Sequence, residues 1–459
     1  MTHRKDLFFV YDYSIPDNDD VYFANATDYK KFLDFFKDTK SVSWDKYHRW
    51  YFKVTQNSYP QSYLCTPKFL SNCNQISFFE YTQNLKDYKT FLYPVSMFCD
   101  ASTSMDNLDD YLFDKISKPA LEEIKNSDNF FLFINYFFEG YLTLKQLSKF
   151  YNWLDKHNIP KSKVYLCWAT YGLQEFLSKF YEQYKTDEHI RFIEYVWPLY
   201  YLPERFSFYK EKLVDETYNE SYEIKNKKYD FNCLIGQNRF HRVALLAYLE
   251  SVKLLNKNLV SYDLKKYDTT FKDYWYQLTN DICKPPFDFN HYGFHFFNIF
   301  LENPKRIIDI QNLESVHGMG MENASIYKDT MFTIVPESYF VETDFVRYIS
   351  EKIFKPIMHN NPFIVMAKPY TLQYLQNQGF KTFHPFINEE YDKIEEDWPR
   401  MMFIFEEIDR ICAMSSEEKE RWMKNVKPIV DFNYKHFCSG NYGKSEKELL
   451  DYLPTFHKL

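Results

Sequence analysis

Apolar runs and helical segments alternate in the middle of the chain, and this alternation restricts the fold more than any other feature. The pattern predicts strands at 129–136, 163–169 and 191–197, with helices at 142–157 and 173–184 between them. Strands joined through helices of this length run parallel, with right-handed crossovers. The amino-terminal half is therefore predicted to be a mainly parallel α/β domain. No GxGxxG motif follows any of its strands, so the common dinucleotide fingerprint is missing.

A second unit of strands and helices is predicted between Met331 and Gly379. A strand at 332–335 is followed by a loop, a helix, a strand that begins at Pro362 and another helix, which together form a unit of a parallel sheet. The apolar stripe of the first helix has a spacing of four residues and consists of Ile349, Ile353 and Ile357.

Polar residues of this unit fall where a ligand would bind. Glu337 and Ser338 end the first strand, and open α/β sheets bind ligands beyond the carboxyl ends of their strands. Glu351 and Lys352 are predicted to lie in the helix, away from its most buried stripe. By spacing alone, these charges also fit an ordinary solvated helix face with ion pairs four residues apart.

The string PES…RYISEKIFKPI…NPFIV resembles the donor-binding segment of the Lewis-type fucosyltransferases. The matching residues are Glu337, Ser338, Tyr348, Glu351 and Lys352. The resemblance implies that Glu351 holds the ribose hydroxyls of a sugar nucleotide, and that Lys352 and basic partners meet the diphosphate. It is confined to the C-terminal part of the chain, and Ser350 stands where the family usually has threonine.

An anion-binding turn is predicted earlier, between a strand at 230–235 and a helix that begins at Arg239. The polar turn contains Asn238, and the helix start offers backbone N–H groups to an anion. Arg239 and Arg242 add guanidinium groups suited to phosphate, although the helix dipole disfavours cations there. Their counterparts in the family imply diphosphate contacts, whereas bonds to linker carboxylates are the structural alternative. His241 either faces the cleft or packs.

Glu139 is the candidate catalytic base. It follows the strand at 129–136 and precedes Gly140, so its carboxylate would meet an acceptor hydroxyl at the carboxyl edge of the sheet. An acid that complements the dipole of the next helix is the structural alternative. No local motif of the fucosyltransferases matches here, so Glu139 is inferred from its position alone.

Charge and composition restrict the partners. With 56 basic and 64 acidic residues the net charge is −8, which argues against a surface built for DNA, although a local basic cluster includes Lys225, Lys227 and Lys228. Eight cysteines without CxxC spacing indicate reduced thiols rather than a disulfide framework or a zinc site. No apolar run reaches the length of a membrane span, so we expect a cytoplasmic protein, in the host cell if the source is viral.

Two further metal-like patterns are weak. Asp17, Asp19 and Asp20 form a DxD-like string, but acidic residues beside a proline are ordinary loop chemistry. His291 and His295 lie four apart, but the glutamate of HExxH is missing and a glycine separates them. We expect aromatic packing for these histidines and no metal or cofactor.

Together these features predict a GT-B-like α/β fold, with two Rossmann-type domains facing a cleft and a C-terminal helix that crosses back. The predicted parts are an acceptor domain at 1–215, a linker at 216–229, a nucleotide-sugar domain at 230–430 and a tail at 431–459. The predicted function is transfer of a sugar, fucose by resemblance, from a GDP-sugar or UDP-sugar to a glycan or another hydroxyl acceptor. The alternatives are a viral-type DNA glycosyltransferase acting on hydroxymethylated bases and a non-catalytic binding protein.

Overall fold

The computed structural model divides the chain into two compact units. Unit 1 comprises Met1–Tyr200, Asp344–Tyr348 and Gly443–Leu459, and unit 2 comprises Tyr201–Thr343 and Ile349–Tyr442. The residues that the structure describes are 6–11, 74–78, 81–82, 89–96, 116–136, 143–186, 188–196, 198–200, 202–203, 222, 224, 227–236, 239–263, 305–306, 308, 324–340, 347–443 and 446–453. Several residues singled out above lie outside them, namely Asp17, Asp19, Asp20, Glu139, Lys225, Asn238, His291 and His295.

Unit 1 is built on a six-stranded parallel sheet with the order β2-β1-β3-β4-β5-β6. Its strands are β1 (Leu7–Tyr11), β2 (Asn74–Ser77), β3 (Thr90–Ser96), β4 (Phe130–Tyr136), β5 (Val164–Trp168) and β6 (Arg191–Glu194). The predicted alternation of strands and helices is thereby confirmed. Aromatic side chains fill its core, and the rings of Tyr81 and Phe91 pack with centroids 4.7 Å apart.

The helices of unit 1 begin where their sequence provides caps. They are α1 (Lys118–Asn126), α2 (Leu144–Lys156) and α3 (Leu173–Tyr184). The side chain of Thr143 accepts from the N–H of Gln146, whose own side chain bonds back to the Thr143 N–H, so a capping box starts α2. The segment around Arg347 belongs to this unit, where Arg347 pairs with Tyr171 in an antiparallel bridge.

Unit 2 contains a five-stranded sheet with the order β11-β10-β7-β8-β9, parallel except at β9. The strands are β7 (Tyr229–Ile235), β8 (Leu259–Asp263), β9 (Lys305–Arg306), β10 (Thr330–Pro336) and β11 (Phe363–Met366). Every residue of the central strand β10 and of the edge strand β11 is buried, as expected for a parallel sheet covered on both faces.

Helices and turns cover this second sheet. They are α4 (Phe240–Ser251), α5 (Ala324–Asp329), a 3₁₀ helix (Glu351–Ile353), α6 (Phe354–Met358), α7 (Thr371–Asn377), a second 3₁₀ helix (Glu390–Lys393), α8 (Asp397–Cys412) and α9 (Ser416–Ser439), while α10 (Glu446–Asp451) belongs to unit 1. Ser415 followed three residues later by Glu418 predicts a capping box from sequence, and this capping box is present at the start of α9. Pro428 lies inside that helix. No helix in the described part of the chain is long and apolar enough to cross a membrane.

Two local predictions are wrong. The sequence FKTF at 380–383 predicts a short strand, but these residues do not form one. The side-chain amide of Asn433 instead bonds both the N–H and the C=O of Lys381, each at 2.8 Å, in place of a neighbouring strand. The predicted helix around Glu351 is only a 3₁₀ turn that leads into the short α6, and Ile349 lies before it. Ile349 is nevertheless fully buried, in agreement with its place in the predicted apolar stripe.

Candidate functional site

Glu337 directly follows β10 and is completely buried. Its N–H continues the sheet by donating to the C=O of Met366 at 3.0 Å. Its carboxylate accepts from the N–H of Ser338 (3.0 Å), the N–H of Ser350 (3.3 Å) and the hydroxyl of Ser350 (2.5 Å). A buried carboxylate needs such donors, because burial without them is costly. Glu337 thereby joins the end of β10 to the turn that carries Glu351 and Lys352.

Lys352 lies at the surface of this polar cluster. Its ammonium nitrogen is 2.9 Å from Glu351 Oε1, 3.4 Å from Ser350 Oγ and 3.5 Å from Ser338 Oγ. Ser350 is also the N-cap of the 3₁₀ helix, since its Oγ accepts the N–H of Lys352 at 3.2 Å. The structure therefore brings together four residues predicted from sequence, namely Glu337, Ser338, Glu351 and Lys352.

Glu351 is partly exposed and ionised. Its side chain retains 20% of its accessible surface, and that of Lys352 retains 27%. Burial raises the pKa of Glu351, but the charges of Lys352 and Lys355 and the hydrogen bond from Lys352 outweigh it, so the pKa is held below its ordinary value. Glu351 can accordingly accept hydrogen bonds from a bound hydroxyl at neutral pH.

The side chains of His241 and Arg242 bond the backbone carbonyls at the end of β10. Arg242 is 2% exposed and donates to the C=O of Pro336 (3.2 Å) and of Glu337 (2.9 Å). Burial, followed by the charge of Arg239, lowers the pKa of Arg242 to about 10, which leaves the group charged at neutral pH. These contacts give Arg242 a structural role that the sequence did not indicate.

His241 is neutral and packs rather than facing solvent. Its Nε2 donates to the C=O of Glu337 at 2.8 Å, because a carbonyl oxygen only accepts. Burial, and then the charge of Arg242, lower the pKa of His241 well below its usual value. Its ring also stacks on Phe340, with centroids 5.4 Å apart.

Arg239 is partly exposed at the N-cap of α4. Its guanidinium lies over the ring of Tyr339, 4.8 Å from the centroid. A stacked guanidinium keeps its edge N–H groups directed away from the ring, where they can meet an anion. Because Tyr339 follows Ser338, this contact places Arg239 near the end of β10 in space.

A buried arginine fixes the loops beyond β10 and β11. Arg400 of α8 is 1% exposed and donates to the C=O groups of Phe340 (2.6 Å), Ala367 (3.1 Å), Ile394 (2.8 Å) and Glu395 (2.8 Å), and to the carboxylate of Asp397 (2.6 Å). These five bonds match the five N–H donors of a guanidinium. Arg400 therefore holds the carboxyl edge of the sheet in one arrangement.

Other predicted residues lie elsewhere. Tyr348 is buried and belongs to unit 1. In the basic cluster, Lys228 pairs with Asp329 at 2.9 Å, and Lys227 donates to the C=O of Lys328 at 2.9 Å. Glu139 and Asn238 are outside the described residues. Among the residues that are described, no three His, Cys, Asp or Glu side chains are grouped to hold a metal ion, and none of the four described cysteines forms a disulfide.

Sequence reasoning missed the parts played by Ser350 and Arg400. The N-cap role of Ser350 had a signal, because serine directly before an acidic residue and a helical turn is a typical cap. Arg400 had little, since only its ion pair with Asp397 is local. Its other four hydrogen bonds go to backbone carbonyls up to 60 residues away in the sequence.

The fold and the cluster define an α/β protein with two mainly parallel sheets, compatible with the Rossmann-like class, and a charged site at the carboxyl end of a central strand of unit 2. Comparisons of the chain with protein-family models, with curated proteins and with solved structures gave no significant match. The resemblance to fucosyltransferases therefore depends on the matched residues alone.

Proposed function

We propose that this chain is a GT-B-type glycosyltransferase that moves a sugar from a nucleoside diphosphate sugar to a hydroxyl acceptor. The observation that carries the proposal is the cluster of Glu337, Ser338, Glu351 and Lys352 at the end of β10, with Lys352 and Glu351 partly exposed. The carboxyl edge of a parallel sheet is where nucleotides bind in doubly wound folds.

The charges of the cluster suit a nucleotide sugar. In the proposed complex, ionised Glu351 accepts hydrogen bonds from the ribose hydroxyls, and Lys352 and Arg239 face the diphosphate. When the bond to the sugar breaks, the leaving diphosphate gains negative charge, and cations that are already in place stabilise it without reorganisation. The proposed base is Glu139, which would take the proton of the acceptor hydroxyl.

Arg242 has a supporting role in this proposal. Its N–H groups hold the carbonyls of Pro336 and Glu337, but its charge remains next to the strand end. The charge of Arg242 would therefore stabilise a bound anion without touching it. The resemblance implies a direct contact for both arginines, and in this proposal only Arg239 makes it.

The first test is binding of GDP, UDP, ADP, TDP and CMP. Binding is detected as a rise in the melting temperature of unit 2. A ligand at 100 times its Kd stabilises the native state by about 2.7 kcal/mol, which corresponds to a rise of roughly 5–10 °C. We expect one nucleoside diphosphate to give this shift, and Glu351→Gln and Lys352→Met to abolish it.

Glu390→Gln and Lys393→Met are the matched controls, since these residues form an exposed ion pair of the same kind at 3.0 Å. They should bind the nucleotide as the wild type does. Absence of binding by every nucleotide would refute the donor site. If a nucleotide binds, its sugar nucleotide is next incubated with a panel of acceptors that contains glycans and hydroxymethylated DNA. Failure to release the nucleoside diphosphate with every acceptor would indicate a binding protein.

A further inference from the structure

The ammonium of Lys352 is surrounded by three oxygen atoms of its own chain. They belong to Glu351 at 2.9 Å, Ser350 at 3.4 Å and Ser338 at 3.5 Å. An ammonium has three N–H donors, so these contacts can use all of them. An incoming phosphate oxygen must replace one contact, and the longest is the one to Ser338.

Glu337 fixes the orientation of the Ser350 hydroxyl. A hydroxyl has one proton, and Ser350 Oγ lies 2.5 Å from Glu337 Oε2, a distance typical of a hydroxyl donating to a carboxylate. The proton is therefore committed to Glu337, and the lone pairs of Ser350 Oγ face the N–H and the ammonium of Lys352. Because Glu337 is fully buried and also bonded to the N–H groups of Ser338 and Ser350, this orientation is fixed.

We propose that Ser350, oriented by the buried Glu337, is the positioning residue that holds Lys352 at the end of β10 for a diphosphate. This inference rests on the proposed function, which it deepens. Without the Ser350 hydroxyl, the ammonium keeps its contact with Glu351 and loses one of the two contacts that hold it at the strand end. Ser350 touches no substrate in this scheme and acts through Lys352.

The ligand-free test measures acetylation of individual lysines by an N-hydroxysuccinimide ester, read by peptide mass spectrometry. We expect Lys352 to react about tenfold faster in Ser350→Ala than in the wild type, because one hydrogen bond to a charged group is lost. Ser350→Thr keeps the hydroxyl and should retain the slow rate. Lys393, whose side chain is 68% exposed, is the internal control and should react equally in all three proteins.

An unchanged rate at Lys352 in Ser350→Ala would overturn the inference. So would a rise in the threonine variant, since the hydroxyl would then not be responsible. A parallel rise at Lys393 would also overturn it, because the increase would then not be specific to Lys352.

The second test measures the affinity for GDP and for UDP. Ser350→Ala should weaken binding about as much as Lys352→Met, and Ser350→Thr should restore it. Wild-type affinity in Ser350→Ala would overturn the positioning role and leave the proposed function standing. If no nucleotide of the panel of five binds the wild type, the proposed function fails, and with it the role in holding a diphosphate. The acetylation rates still decide whether Ser350 positions Lys352.

Discussion

Asp392 should make unit 2 less stable as the pH rises from 4 to 7. Its buried carboxylate accepts from the N–H of Leu372 (3.0 Å) and of Gln373 (3.1 Å) at the start of α7. Burial raises the pKa of Asp392 from 3.8 to about 6, although the hydrogen bonds from the backbone oppose this rise. The native state therefore binds a proton more tightly than the unfolded chain does.

The size and sign of the effect follow from this difference in pKa. Stability falls with pH wherever the native state binds more protons than the unfolded state. The pKa of about 6 exceeds the ordinary 3.8 by about two units, which corresponds to on the order of 3 kcal/mol. That stability is present below pH 4 and is lost as the pH passes 6.

Asp392→Asn removes the titration. The variant loses an acceptor at α7, which costs about 1–3 kcal/mol at every pH. The decisive quantity is therefore how the difference in free energy of unfolding changes with pH. Because only the wild type loses stability through Asp392, the variant should gain about 3 kcal/mol relative to it between pH 4 and pH 7. Urea titrations read by pulsed hydrogen exchange of unit 2 peptides measure it, and this readout does not require the whole chain to unfold in one step.

The exposed Glu406 supplies the control, since Glu406→Gln removes a carboxylate from the neighbouring α8. Its urea midpoint should follow the wild type across the pH range. A constant difference between Asp392→Asn and the wild type at all pH values would refute the reasoning, because Asp392 would then not bind a proton more tightly in the native state.

Three further substitutions have defined outcomes in the same urea assay. Gly379→Ala should lower the free energy of unfolding by about 1–3 kcal/mol more than Gly440→Ala does. Both glycines have positive φ, but only a Cβ at Gly379 would lie 2.9 Å from the imidazole nitrogen of His436. Equal losses would contradict this close approach. Ser415→Ala should lose about 1 kcal/mol as the capping box of α9 is broken, whereas Ser416→Ala at the next position should be nearly neutral. Arg400→Lys should lower the free energy of unfolding by about 3 kcal/mol or more, since lysine has too few donors for the five acceptors. A near-neutral result would show that the five hydrogen bonds of Arg400 contribute little to stability.

The strands and longer helices of this protein could be predicted because their patterns are local. The helix at Leu173–Tyr184 was predicted with its observed bounds, and β4 differs from its prediction by one residue. Glu337 and Ser338 were placed correctly at a strand end, since apolar runs that end in polar residues indicate where parallel strands stop. Chain order alone then brings such residues to one edge of the sheet.

The failures arose where tertiary contacts replace local patterns. Residues 380–383 are apolar enough for a strand, but the amide of Asn433 bonds the backbone of Lys381 instead. Arg242 was expected to face an anion, and its described hydrogen bonds go to backbone carbonyls of β10 and the residue after it. A sequence shows that a cation is present, but it does not show which acceptor lies closest to it.

The reach of Arg400 has a consequence for the order in which the chain is made. During synthesis, every residue of the cluster at the end of β10 leaves the ribosome before Arg400 does. A nascent chain that stops short of α8 holds Glu337, Ser350 and Lys352, yet the carbonyls of Phe340 and Ala367 lack the guanidinium that bonds them in the finished protein. Stalled chains of increasing length should therefore acquire a proteolytically resistant site only once α8 has emerged.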